Sequence, residues 1–177
     1  NHANWQFTSE NGNDVYVKIE TAGNYYFTWN YAAKKLTVTY PITVDEANKN
    51  TDLNGYYGKM ADVILNRAFT NTYWQTVSLP FTMTTQHITS VFGANTQVAK
   101  LASSDVSSKS NEDFVLNFDF VNKIEAGVPY LIKPTQAVAA GTKVEEVVMN
   151  TNTHNVATDD AVMIPVLNKI TFPAGNN

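Results

Sequence analysis

The chain has 177 residues, enough for one large β-domain or two small ones, and its 44% hydrophobic content can fill a core. A net charge of −4 argues against nucleic acid or an anionic membrane as the main partner, because a mildly acidic surface offers a polyanion nothing. The absence of cysteine excludes disulfides, thiolate metal sites and a cysteine nucleophile, and no run of about 18 apolar residues offers a membrane span.

Asn and Thr each make up about an eighth of the chain, and only 16% of residues are charged. Threonine suits strand surfaces and asparagine suits turns, so composition favours an all-β protein of extracellular type. Residues 1–41 read as a small three-stranded antiparallel meander. Val15, Val17 and Ile19 alternate with Tyr16 and Lys18 behind the turn-former Asn11-Gly12-Asn13-Asp14. Tyr25, Phe27, Trp29 and Tyr31 then share one face, expected to be mostly buried, with Tyr26, Thr28 and Asn30 on the other. Leu36, Val38 and Tyr40 alternate with Thr37 and Thr39 until Pro41 stops the strand. Three such strands cannot bury both faces alone, so the meander needs a partner sheet. Residues 42–60, polar and irregular, read as a linker.

Residues 61–177 read as an antiparallel, jelly-roll-like β-sandwich with one short helix. Val63, Leu65, Arg67 and Phe69 alternate with Asp62, Ile64 and Asn66. In the stretch from Trp74 to Phe81, residues Tyr73, Gln75, Val77, Leu79 and Phe81 fall on one side, and Trp74, Thr76 and Ser78 on the other. The helix is Thr84 to Gly93: a Thr cap, apolar Ile88, Val91 and Phe92 at helical spacing, and a terminating Gly. Residues 96–102 form a strand, followed by a polar loop from Ser103 to Glu112. Phe114, Leu116, Phe118 and Phe120 share a face and predict the strongest core strand. A turn at Ala126-Gly127 leads into Val128–Lys133, a strand closed by Pro134. Val144 to Met149, Val162 to Val166 and Ile170 to Phe172 are further short strands. The chain begins at Asn1 and ends in Gly175-Asn176-Asn177, and both ends read as cuts in something longer.

Asp62 to Arg67, Trp74 to Phe81, Val91-Phe92-Gly93 and Ile124 to Pro134, in that order, resemble a module widespread in secreted, cell-surface proteins of Bacteroidetes. Its usual form is Trp-x-Thr-Leu-Cys-Leu-Pro-Phe, a helix ending in Phe-Gly, a Phe-rich strand, and Ile-x-Ala-Gly-x-Pro-Tyr-Leu-Ile-Lys-Pro. Ser78 stands where that family has Cys, and the family's closing strands are not recognisable after Val148. The front hairpin, Gly23 to Trp29 with Lys35 to Pro41, is similar to the last hairpin of small β-sandwiches found beside glycan-degrading enzymes and starch-binding lipoproteins. On that resemblance, residues 1–41 are the end of a preceding sandwich. It implies outer-membrane surface display in a Gram-negative bacterium and glycan handling, with neighbouring domains on the same polypeptide, and no defined catalytic role.

Exposed Trp and Tyr suit the apolar faces and hydroxyls of a polysaccharide or host glycan. Tyr16 and Tyr26, on the faces opposite the apolar sets of their strands, are the stacking candidates, with Trp5 beside them; otherwise the front aromatics are core. His2, His87 and His154 lack metal-ligand spacing, and His87 reads as an exposed helix residue. Asp159-Asp160 with nearby asparagines offers oxygen ligands for calcium but no DxDxDG order, so a solvated loop is the reading taken. Asp62, Asp113, Asp119, Glu125, Glu145 and Glu146 could be drawn into a glycosidase-like pair, as in any β-protein, with Asp119 the least implausible. Neither a nucleophile elbow nor a phosphate loop occurs, so no catalytic residue, metal or cofactor is assigned. The expectation is a non-catalytic surface module that binds glycans or positions its neighbours. The alternatives are an adhesion or fimbria-like subunit assembling through sheet edges, and an accessory part of a secreted glycoside hydrolase.

Overall fold

Alternating apolar residues place most of this chain in strands, and the computed structural model shows how they pair. It describes residues 4–8, 14–18, 25–45, 53–105 and 114–167, the first two stretches as backbone only. β1 (Asn4–Thr8) and β2 (Asp14–Lys18) form a two-stranded antiparallel ribbon. β3 (Tyr26–Asn30) and β4 (Lys35–Asp45) form a hairpin, and β4 continues alongside β5 (Met60–Asn66). After β6 (Gln75–Val77) come α1 (Thr85–Phe92), β7 (Gln97–Asp105), β8 (Val115–Val121), β9 (Tyr130–Lys133) and β10 (Thr142–Val148). A small hairpin, β11 (Val156–Ala157) and β12 (Val162–Met163), follows.

Two four-stranded sheets result, ordered β10-β5-β4-β3 and β6-β9-β7-β8. Val63, Leu65, Val144 and Val147 of the first share one buried cluster with Val77, Val98, Tyr130 and Ile132 of the second, and with Ile88, Val91 and Phe92 of α1. The fold is therefore all-β and sandwich-like, as the alternation implies. Its first sheet is mixed rather than purely antiparallel, because β4 and β5 run parallel. A parallel pair needs a crossover; a 3-10 turn at Leu53–Tyr56 lies on it.

β4 acts as a relay. Lys35 to Thr39 pair only with β3, and Tyr40 to Asp45 only with β5. Residues 42–45, read from sequence as linker, are thus strand, and Ile42 is buried in the core. Among the described residues the front strands pair as two ribbons and not one meander: β1 with β2, and β3 with β4. The hairpin portion runs past Met60, the first β5 residue, and is covered on one face only: Thr37 and Thr39 are buried, whereas the face of Phe27, Trp29, Leu36 and Val38 is more open. The burial expected of Phe27, Trp29 and Tyr31 is accordingly not observed; all three are exposed.

The Phe-rich strand is a second correction. Phe114, Leu116 and Phe120 are exposed and Phe118 is half-buried. β8 is an edge strand paired only with β7, in a register that puts Val121 opposite buried Val98 and so turns Phe118 and Phe120 to the outer face. Alternation revealed that these rings share a face but not which face is inside. Beyond them, β7 runs on to Asp105 where a loop was expected from Ser103. The expected strand Val162 to Val166 is realised only at Val162–Met163, and Ile170 to Phe172 lies outside the described residues.

The two motif stretches meet directly. Gln75, Thr76 and Val77 oppose Ile132, Leu131 and Tyr130. Met83 and Ile124 exchange both backbone hydrogen bonds, at 2.8 and 3.0 Å. The Gly127 N–H donates to the Leu79 carbonyl at 2.7 Å, and its own carbonyl accepts from His154 N–H at 2.9 Å. Gly127 sits at φ +67°, and a Cβ there would lie 1.8 Å from the Asn152 carbonyl oxygen, so only glycine fits. The helix joins the same knot. Thr84 caps it in a capping box closed by the His87 side chain, a role the sequence reading assigned only in part. At its other end, the Phe92 carbonyl accepts from Thr135 and Gln136 N–H just after Pro134.

Gly127→Ala should destabilise the fold by about 3 kcal/mol or more, read by chemical denaturation, since it combines left-handed backbone strain with a backbone clash; an unchanged midpoint would contradict the interlock. The Ser78 hydroxyl is buried and has no hydrogen-bond partner among the described residues. Ser78→Ala should therefore raise stability by about 1 kcal/mol, and a lowered melting temperature would show that the hydroxyl is satisfied.

Candidate aromatic binding surfaces

Among the described residues, aromatic side chains are exposed at Tyr57, Tyr73 and Phe114 and, with close neighbours, in two further places. The first is the β3–β4 arm. Its turn is held by the Asn30 side chain, whose oxygen accepts from Ala33 N–H at 2.9 Å, with Lys34 in the left-handed region at φ 51°. Cross-strand pairs Phe27–Val38 and Trp29–Leu36 share one face, while Tyr26–Thr39 and Thr28–Thr37 share the other. Tyr26 is 53% exposed, Trp29 55% and Tyr31 75%. The Lys34 ammonium lies 3.7 Å from the Tyr31 ring centre, and Lys143 lies 6.0 Å from that of Tyr26. At the base of the arm, Tyr25 and Tyr40 meet edge to face at 4.8 Å, and burial followed by the Tyr40 neighbour pushes the Tyr25 hydroxyl pKa up.

Of the residues singled out from sequence, Tyr26 is thus an exposed arm residue. Trp5 and Tyr16 lie on β1 and β2, where Trp5 opposes Val17 and Tyr16 opposes Gln6, so they occupy different pairing positions. Their side chains lie outside the described residues.

The second place is the outer face of the other sheet. There Trp74 and Phe120 face each other with ring centres 6.2 Å apart and planes tilted by 33°. Gln75 fixes the approach to Trp74: its side-chain amide donates to the Thr70 carbonyl at 2.8 Å and accepts from Thr70 N–H at 3.4 Å. Sequence alternation put Trp74 on the face opposite Val77, as found. It could not pair Trp74 with Phe120, because that requires knowing the strand order.

Among the described residues, Asp62, Glu125, Glu145 and Asp160 have polar partners, and Asp113 lies outside those residues. Asp62, largely buried, accepts from Glu146 N–H at 3.1 Å and lies 3.7 Å from the Lys143 ammonium, which pairs with Glu145 at 2.6 Å. This anchors the irregularity in β10 between Val144 and Val147, where Glu146 adopts φ 52°. Asp119 is exposed opposite Lys100 on the edge strand. Asp160 accepts from the Ser104 hydroxyl at 3.2 Å in the β11–β12 turn. Among the described residues, no group of three or more His, Asp or Glu side chains is placed to hold a metal ion.

Lys123 pairs with Glu125 at 2.6 Å and holds its carboxyl below the ordinary range. The buried Tyr130 hydroxyl approaches that carboxylate at 3.5 Å; burial pushes the tyrosine pKa up, and the Glu125 charge adds to the shift. Comparison with protein-family models, with curated proteins and with solved structures finds no match to this chain.

Because the folded protein holds the Tyr130 proton to higher pH than the unfolded chain, this contribution is intact below about pH 10 and is lost as pH rises beyond it. Tyr130→Phe, which has no such proton, should show a shallower fall in melting temperature between about pH 9 and pH 11. An equal or steeper fall would mean that Tyr130 does not drive the alkaline loss.

Proposed function

We propose that this chain is a non-catalytic module of a secreted or cell-surface protein, and that it holds glycans through the β3–β4 arm. The observation that carries this reading is the exposure of Tyr26, Trp29 and Tyr31 on the β3 edge of the first sheet and its turn. Leaving large rings in water forgoes roughly 1.5–3 kcal/mol of burial each, a cost that a flat apolar sugar face would recover on binding. Tyrosine and tryptophan add a polar group to that area at low entropic cost. The two faces of the arm, Trp29 on one and Tyr26 on the other, would grip an extended chain from both sides.

A second reading, assembly through sheet edges, is favoured by β8, a seven-residue edge strand exposed on both faces.

A glycan array probed with the whole chain tests the first reading. Binding should be detected and should weaken about tenfold with Trp29→Ala or Tyr26→Ala. Undiminished binding by both variants would remove the arm from the site. Sedimentation that shows concentration-dependent polymers in place of glycan binding would favour the second reading.

A further inference from the structure

We propose that the outer face of the β6-β9-β7-β8 sheet is a second, separate binding site, built to take an oligosaccharide whose sugars carry carboxylates. Strand register defines the face. Thr76 opposes Leu131, Leu131 opposes Ala99, and Ala99 opposes Phe120, so these four make one row across all four strands. Their neighbours along the strands, Trp74, Lys133 and Gln97, make the next row on the same face, and Gln97 directly opposes Lys133.

Three strand spacings separate β6 from β8, about 14 Å in all. Yet the Trp74 and Phe120 ring centres are only 6.2 Å apart. Both side chains therefore lean toward one another over the strands between them. Ala99 beneath is 3% exposed although it lies on the outer face, so larger groups cover it. The upper surfaces stay open: Trp74 is 38% exposed and Phe120 69%. Two exposed rings so close together offer one continuous apolar area, which suits the C–H faces of an oligosaccharide.

Polar chemistry around the rings sets the ligand class. The side chains of Thr76, Gln97 and Lys133 show no hydrogen bond or ion pair within the described residues, although each has donors to offer a hydroxyl or a carboxylate. The two rows hold one cation, Lys133, and no acidic residue, in a chain whose net charge is −4. A local positive site on an acidic protein complements an anion presented beside an apolar face, which a uronic acid unit is.

The site is on the other sheet from the arm, so the two can fail separately. Titration calorimetry of the whole chain with a hexamer of galacturonate and with maltohexaose is the test. The uronate should bind more tightly than the neutral hexamer at low salt, and added salt should narrow the difference. Trp74→Ala and Phe120→Ala should each weaken binding about tenfold. Phe120→Leu, which keeps apolar cover without the ring, should weaken it too. Lys133→Gln should remove the preference for uronate, and Tyr26→Ala and Trp29→Ala should leave uronate binding unchanged. Equal affinity for the two hexamers, no binding of either, or indifference to the Trp74 and Phe120 variants overturns the proposal. Binding weakened only by the arm variants overturns it while sparing the arm reading.

Discussion

The backbone pairing of residues 75–83 with 124–133 is the constraint on which the rest of the structure depends. It is made of main-chain hydrogen bonds, and so demands little of most side chains beyond alternation. At Gly127 it demands one residue absolutely, because the chain there turns left-handed against the Asn152 carbonyl. Once that turn is closed, Leu79, Phe81 and Met83 are driven inward beside Ile124 and Tyr130, and the Pro80 carbonyl is free to accept from Asn150 N–H at 2.8 Å. The helix is then held from both ends, by its own Thr84 cap and by Thr135 and Gln136 on the Phe92 carbonyl. An eight-residue helix has little stability alone; here it is a filling piece between strands fixed by other means.

What the core leaves out is informative. β4 pairs with β5 only from Tyr40 onward, and its first half pairs with β3, whose Tyr26, Phe27 and Trp29 are exposed. β8 closes the other sheet as an edge and turns its phenylalanines outward. Both places expose aromatic area that a monomeric domain of this kind has no structural reason to keep in water. Asp62 and Glu125 serve the fold itself: Asp62 braces the β-bulge of β10, and Glu125 pairs with Lys123 and meets the Tyr130 hydroxyl.

The period of most elements was legible in the sequence. Val63 and Leu65, Val77 and Leu79, and the helical trio Ile88, Val91 and Phe92 all point inward as their spacing implies. The stretches around Trp74 and Gly127 were legible too as strands of one sandwich, from their alternation and closing prolines. What spacing could not supply was sign and neighbourhood. Phe27 and Trp29 alternate as core residues do, and so do Phe118 and Phe120, but whether such a face is covered depends on which strand lies beside it and how far that strand runs. A parallel β4–β5 pair across a polar stretch is likewise invisible to local pattern, because its hydrogen bonds join residues with a crossover between them. The Trp74–Phe120 pair could not be foreseen for the same reason.

Amide hydrogen exchange probes the central constraint most directly, because local openings rank segments by stability. If the interlock organises the fold, the N–H groups of Met83, Ile124 and Gly127 exchange only through global unfolding, far more slowly than those of Phe27 and Thr28 on the arm. Exchange of the three at the rate of the arm, with the rest of the sandwich still protected, would show that the fold stands without them.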